Sequence, residues 1–187
     1  DNGSTANPDD FSFSVNGDEP ITFEEDGTNE LIVDVDTYTV TESEVEGYAI
    51  SYENCTGVEI GPGETVTCTI TNDDEAGTLI VQKVVVNDDE GTADADDFSF
   101  SVNGDGSIFF ELDGQNELTV DAGTYTVTEP AVAGYTTTYD NCSDIDIPNG
   151  GTATCTITND DIPPSLLPPP PSENTAELCS DTIDNDL

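Results

Sequence analysis

Asp10-Phe-Ser-Phe-Ser-Val-Asn-Gly-Asp18 returns unchanged as Asp97-Phe-Ser-Phe-Ser-Val-Asn-Gly-Asp105. The step from 10 to 97 is an offset of 87, and without a gap it lays Phe23 on Phe110, Tyr38 on Tyr125, Glu42 on Glu129, Cys55 on Cys142, Cys68 on Cys155 and Asn72 on Asn159. Two copies of one unit follow, since chance does not hold aromatic, acidic, sulfur and amide positions in one register. Within the repeated stretch Phe, Phe and Val alternate with Ser, which puts the apolar side chains on one face of an extended strand. The Asn-Gly pair after it is a hairpin signal.

Working outward through the second copy, the same alternation predicts strands over Thr78 to Asn87, Asp97 to Asn103, Ser107 to Leu112, Asn116 to Asp121, Thr124 to Glu129, Tyr135 to Asp140 and Ala153 to Asn159. No window has a helical period, so the expected fold is all-β: two tandem two-sheet sandwiches of about seven strands each. Residues 1–76 read as the first, 77–161 as the second, and 162–187 as a Pro-rich linker with an acidic tail. Ile162 to Ser172 carries six prolines and predicts an extended spacer. By the same offset Asp1 stands where Asp88 stands, so the first copy lacks the counterpart of Thr78 to Asn87. A sandwich short of one strand offers a groove and unpaired backbone groups to a strand from elsewhere. Two sources stay open: a longer array of which this chain is a fragment, or a neighbouring subunit. With neither Met nor an apolar leader at Asp1, any signal peptide is expected to have been removed or to lie outside the chain.

The 187 residues hold 1 Lys+Arg against 42 Asp+Glu and no His, a formal net charge of −41. Nucleic acid and anionic membrane are excluded as partners, because phosphate binding needs a basic footprint. No apolar run is long enough to span a bilayer, so no direct membrane insertion is expected. Such a surface suits high salt or a medium rich in divalent cations, where self-repulsion is screened. Halophily is one explanation; an ordinary acidic surface protein in a calcium-containing medium is the plainer one. Without His, a nucleophile motif or a Gly-rich phosphate loop, an enzyme acting on an outside substrate is not expected.

Five cysteines are present, and with no His and no C-x-x-C a zinc or redox site is a poor reading. Two equally spaced pairs at equivalent places predict disulfides Cys55–Cys68 and Cys142–Cys155, which require an oxidising, extracellular or cell-surface location. Cys179 is left to pair beyond Leu187 or with another subunit.

Side chains two apart in a strand share a face. Tyr125, Val127 and Glu129 therefore point the same way, as do Cys155, Ile157 and Asn159, and Lys83 is in phase with Leu79, Val81 and Val85. A buried amine, acid and carboxamide are costly unless they satisfy one another. Desolvation favours neutral forms. A neutral Lys83 amine could then attack the Asn159 side-chain carbonyl, with Glu129 relaying protons, to give an amide crosslink and ammonia. The plainer reading makes Lys83 an edge-strand lysine that discourages aggregation, with Glu129 and Asn159 capping strand ends.

The series Leu79-Ile-Val-Gln-Lys83-Val-Val-Val-Asn87, Tyr125-Thr-Val-Thr-Glu129, Gly134-Tyr135 and Cys155-Thr-Ile-Thr-Asn159 resembles the Cna-B-like, or prealbumin-like, repeats of prokaryotic surface proteins, adhesins and pilin subunits. The resemblance covers nearly all of residues 1–161. It implies an Ig-like or prealbumin-like sandwich and an intramolecular isopeptide bond from Lys83 to Asn159 assisted by Glu129. The first copy matches only at Glu42 and Asn72, having no lysine, so no such bond can form there within this chain.

Smaller signals remain. Asn2-Gly-Ser4, Asn54-Cys-Thr56 and Asn141-Cys-Ser143 are glycosylation sequons, although a central Cys is poor for the transferase and each Asn can serve as a turn residue. Asp181, Asp184, Asn185 and Asp186 resemble the opening of an Asp/Asn-rich calcium loop, and Asp73-Asp-Glu75 is a second candidate for Ca2+; acidic runs are otherwise solvated. No other cofactor is expected. The leading functional expectation is an extracellular structural module of a stalk, pilus or filament, partnered by copies of itself or by further repeats of a parent protein. The alternative is an adhesin-type module binding glycan or protein through loop tips at Glu59 to Glu64 and Asp144 to Gly151.

Overall fold

A computed structural model describes residues 2–164 of the chain. Repeat 1 holds β1 (Ser12–Val15), β2 (Ile21–Thr22), β3 (Asp36–Tyr38), β4 (Val40–Glu42), β5 (Tyr48–Glu53), β6 (Val58–Ile60) and β7 (Thr69–Asp74). Repeat 2 holds β8 (Gly77–Val86), β9 (Ser99–Val102), β10 (Ile108–Phe109), β11 (Gln115–Val120), β12 (Gly123–Tyr125), β13 (Val127–Thr128), β14 (Tyr135–Asp140), β15 (Ile145–Ile147) and β16 (Thr152–Asp161). Besides strands, the regular elements among the described residues are single 3-10 turns at Pro8–Asp10 and Ala95–Asp97, so the fold is all-β with two tandem sandwiches.

In repeat 2 one sheet runs β11-β8-β16-β14, and β10-β9-β13 with the pair β12-β15 covers it. The first and last strands are parallel neighbours at the centre of the four-stranded sheet, in register from Thr152 opposite Thr78 to Asp160 opposite Val86. Between the sheets lie Leu79, Val81, Phe98, Phe100, Phe110, Val127, Ile145, Ile147, Cys155 and Ile157, nearly all without exposed surface. The Asn-Gly pairs behave as their chemistry requires: Asn103 and Gly104 take φ 52° and 79°, and Asn16 and Gly17 φ 51° and 79°.

Two expected strands come out differently, and one strand forms where a loop was expected. The run 124–129 is split at Thr126, whose N–H bonds Asn103 Oδ1 at 2.9 Å while its carbonyl accepts the Asn103 N–H at 2.8 Å. Here the chain passes from β15, its partner at Gly123–Tyr125, to β9, its partner at Val127–Thr128. The run 107–112 ends at Phe109, because the Asn116 side chain takes the Phe109 carbonyl at 3.1 Å and the Glu111 N–H at 3.2 Å. Ile145–Ile147, expected within a loop tip, is a strand with both isoleucines buried.

Repeat 1 shows what an absent strand removes. Its residues 65–68 correspond to 152–155, which in repeat 2 pair with β8 alone, and β7 accordingly begins only at Thr69. Residues 28–33 correspond to β11, and with no neighbour they form no strand. Leu31 and Val33 are exposed where Leu118 and Val120 pack on the core. What remains is three small sheets, β2-β1-β4, β3-β6 and β5-β7.

The repeats meet through backbone. Gly150 N–H bonds the Glu75 carbonyl at 2.8 Å, and Ala122 N–H the Asn2 carbonyl at 2.6 Å. Since β7 ends at Asp74 and β8 starts at Gly77, the joint has little slack.

Candidate functional site: a buried amine, acid and carboxamide

β8, β13 and β16 bring Lys83, Glu129 and Asn159 together. Burial along β8 falls on Gly77, Leu79, Val81 and Lys83, so the lysine continues the inward row. Its amine donates to Glu129 Oε2, and both side chains are fully enclosed. The other carboxylate oxygen, Oε1, accepts the Asn159 amide at 2.6 Å. Asn159 is 0% exposed, and its Oδ1 has no partner. One carboxylate thus spans the amine and the carboxamide whose carbonyl is left unsatisfied.

Aromatic rings close the site. The Lys83 amine lies 4.0 Å from the centroid of Phe98 and 5.2 Å from that of Phe110. Burial pushes the Lys83 pKa down, against the hydrogen bond and charge of Glu129, which push it up. Backbone contacts hold the frame: Lys83 N–H bonds the Gly114 carbonyl at 2.7 Å, and Glu129 N–H bonds Tyr139 Oη at 3.2 Å. Phe98, Phe110 and Tyr139 were not among the expected site residues. The repeated Phe-Ser-Phe places Phe98 on the inner face, but nothing in the sequence says that it lies over the amine.

Repeat 1 carries the same site without its lysine. Asn72 Nδ2 donates to Glu42 Oε1 at 2.9 Å, and both Glu42 Oε2 and Asn72 Oδ1 are buried without a partner. Burial raises the Glu42 pKa, with Asn72 opposing it.

The remaining expected residues fall as follows. Cys55–Cys68 and Cys142–Cys155 are bonded, each with Cα atoms 4.7 Å apart. A loop of this size contributes about 3 kcal/mol by restricting the unfolded chain. Asn54 and Asn141 sit at φ 56° and 51°, and their amides bond the carbonyls of Thr67 and Thr154, both at 2.9 Å, which is the work of turn residues. The Asn2 amide bonds the Asp74 carbonyl at 2.5 Å. At the Asp73–Glu75 junction, Asp74 Oδ2 takes the N–H groups of Ser4 and Asn2 at 3.0 and 2.7 Å. Cys179, Asp181, Asp184, Asn185 and Asp186 lie outside the described residues. A carboxylate grouping not foreseen is Asp88, Asp160 and Asp161, with ligand atoms within 4.8 Å of one another. Desolvation pushes Asp161 up, yet the amides of Gly91, Asp89 and Asp88 together hold it below the usual range.

A duplicated sandwich, whose second copy sets its first and last strands side by side over a buried amine–acid–amide set, defines the class. The chain belongs to the family of prealbumin-like fold domains, whose model matches residues 1–70 and again residues 74–157. Among solved structures it is similar to the Bacillus anthracis TIE protein, with a TM-score of 0.56 and 21% identity over 81% of this chain and 31% of that one. Two B repeat units of the collagen-binding protein Cna of Staphylococcus aureus align at a TM-score of 0.33 and 21% identity, over 82% of this chain and 44% of theirs. A major pilin protein of Streptococcus pyogenes aligns at 0.34 and 12%, over 81% and 89%. The chain therefore spans about a third of the TIE chain and under half of the Cna fragment. A comparison with curated protein sequences finds no match.

Proposed function

We propose that the chain is an extracellular structural module of a cell-surface stalk, pilus or filament, locked in repeat 2 by an amide bond between Lys83 and Asn159. The observation that carries this reading is the Glu129 carboxylate held between the amine and the carboxamide in an enclosed site. Burial favours the neutral amine, which is the nucleophilic form. Nζ attacks Asn159 Cγ, the Cγ–Nδ2 bond breaks, and Glu129 carries the proton from the attacking to the leaving nitrogen, which departs as ammonia. The bond joins the first strand of the repeat to the last, so a pull on its ends is borne by covalent links. In repeat 1 the corresponding strand comes from outside residues 1–187, either from a preceding part of a longer array or from a neighbouring subunit.

Family membership, the two disulfides and the short joint between repeats support a stiff, protease-resistant module in an oxidising compartment. The chemistry is self-directed, with no outside substrate. In this reading residues 1–76 and 77–161 are the two domains and 162–187 the linker and tail. Intact-mass analysis tests the crosslink: the chain should run about 17 Da below its disulfide-corrected mass, the ammonia lost in forming the amide, and Lys83→Ala should restore full mass. A wild-type chain at full mass refutes the bond.

A further inference from the structure

Pro130 follows Glu129 and leaves the backbone of that acid short of partners. A proline has no N–H with which to continue a ladder, and it holds the residue before it extended. β13 accordingly stops at Thr128, opposite Ser101, and Glu129 stands one residue past the last strand pair. A side chain takes up its peptide groups instead. Tyr139 Oη accepts the Glu129 N–H at 3.2 Å and donates to the Glu129 carbonyl at 3.3 Å. One hydroxyl thus does for both groups what a neighbouring strand does elsewhere.

β14, at the edge of the four-stranded sheet, carries the tyrosine to this point. Tyr139 is opposite Ile157 in the ladder and Thr137 is opposite Asn159. Residues directly opposite share a face, so the ring lies on the inner side with Ile157, next along from the carboxamide. The hydroxyl therefore ties the acid to the β14–β16 ladder that also sets Asn159, and β16 in turn is in register with the strand that carries Lys83.

The copy without a lysine shows that this bond does not depend on the ion pair. In repeat 1 Tyr52 occupies the equivalent place, and its Oη accepts the Glu42 N–H at 3.0 Å and donates to the Glu42 carbonyl at 3.5 Å. Glu42 is followed by Ser43 and is still paired, opposite Phe13. The tyrosine seat belongs to the acid itself, and where proline ends the ladder it carries more of the task.

We propose that Tyr139 is a positioning residue for amide formation, its hydroxyl fixing the Glu129 backbone so that one carboxylate reaches Lys83 and Asn159 together. This rests on the crosslink reading above. As the Nζ–Cγ bond forms and the Cγ–Nδ2 bond breaks, the proton lost by Nζ must reach the nitrogen that leaves as ammonia. The carboxylate has to stay within reach of both nitrogens, with Oε2 on the amine and Oε1 2.6 Å from Asn159 Nδ2. A backbone free to drift loses both contacts at once, and a misplacement of about 1 Å can cost about a hundredfold in rate. Tyr139 is 47% exposed, so water can take over the backbone groups when the hydroxyl is removed, and the ring of a phenylalanine keeps the packing.

The test follows the full chain after pulsed cell-free synthesis in an oxidising mixture, below its melting temperature, with intact mass reading the fraction lighter by one ammonia. Tyr139→Phe should form the amide at least about tenfold more slowly than wild type. Tyr125→Phe removes another hydroxyl bond of the same repeat, to the Asp121 carbonyl at 2.7 Å, and should keep the wild-type rate. A hydroxyl that served stability alone would lower the melting temperature and leave the rate of folded chains unmoved. Placing 4-aminophenylalanine at position 139 returns a donor to the ring tip and should restore most of the rate. A wild-type rate in Tyr139→Phe, equal slowing in Tyr125→Phe, or no recovery with the amino analogue overturns the positioning role and leaves the crosslink standing. A wild-type chain that never loses ammonia overturns the crosslink, and the positioning role with it.

Discussion

Replacing Lys83 by Met measures what the buried carboxylate of Glu129 requires. Methionine keeps an unbranched apolar chain beside Phe98 and Phe110 but takes the only donor from Glu129 Oε2. The Glu129 side chain has no exposed surface, so water cannot take the amine's place. Removing one partner of a buried pair costs about 3–5 kcal/mol. At about 4–8 °C per kcal/mol for a domain of this size, the repeat 2 transition should fall by at least about 12 °C. Lys83→Met combined with Glu129→Gln should melt well above Lys83→Met alone, since the buried charge is gone and the glutamine carbonyl can still accept the Asn159 amide. Neither variant can crosslink, so the gap between them reports the buried charge alone. Differential scanning calorimetry reads both, with repeat 1 as internal reference. Single and double variants melting within about 2 °C of each other would refute the enclosed pair and the reasoning built on it.

Gly114→Ala should destabilise by at least about 1–2 kcal/mol, because its φ is +76° and a Cβ would stand 2.8 Å from the Lys83 carbonyl. The counterpart Gly27→Ala, at φ +74° but meeting only Pro8, should cost less, and urea midpoints of the two variants decide the order. For Glu42 the folded pKa is raised above 4.5 by burial, so between 4.5 and the folded value the native state binds more protons than the unfolded. Its contribution is fully present below 4.5 and is lost as pH rises through the folded pKa. Urea midpoints of repeat 1 should therefore rise on going from neutral pH toward 4.5, and Glu42→Gln should flatten its part of that slope. Raising NaCl from about 0.1 to 1 M, which shortens the screening length from about 10 to 3 Å, should raise the melting temperature of a chain with net charge −41. A melting temperature that does not move with salt would show that self-repulsion is not limiting.

Much of this molecule is written in local pattern. The duplication, the two-residue period, the cysteine pairs and the shared face of Cys155, Ile157 and Asn159 follow from spacing along the chain, because a strand's side chains alternate whatever lies beside it. The same period set Lys83 in line with Leu79 and Val81, although both faces of that segment are apolar. Which face is buried was settled by the layer that covers the sheet, whose Phe98, Phe100, Phe110 and Val127 share one core with Leu79 and Val81. Spacing along a strand is silent about what lies across the sheet. It could not foresee that the chain changes partner at Thr126, that Ile145–Ile147 pairs with Gly123–Tyr125, or that Phe98 and Phe110 enclose the amine. Residues 28–33 make the point most directly. Their pattern matches β11, yet they form no strand, because a strand is stabilised by its neighbours rather than by its own sequence, and here the neighbour is missing.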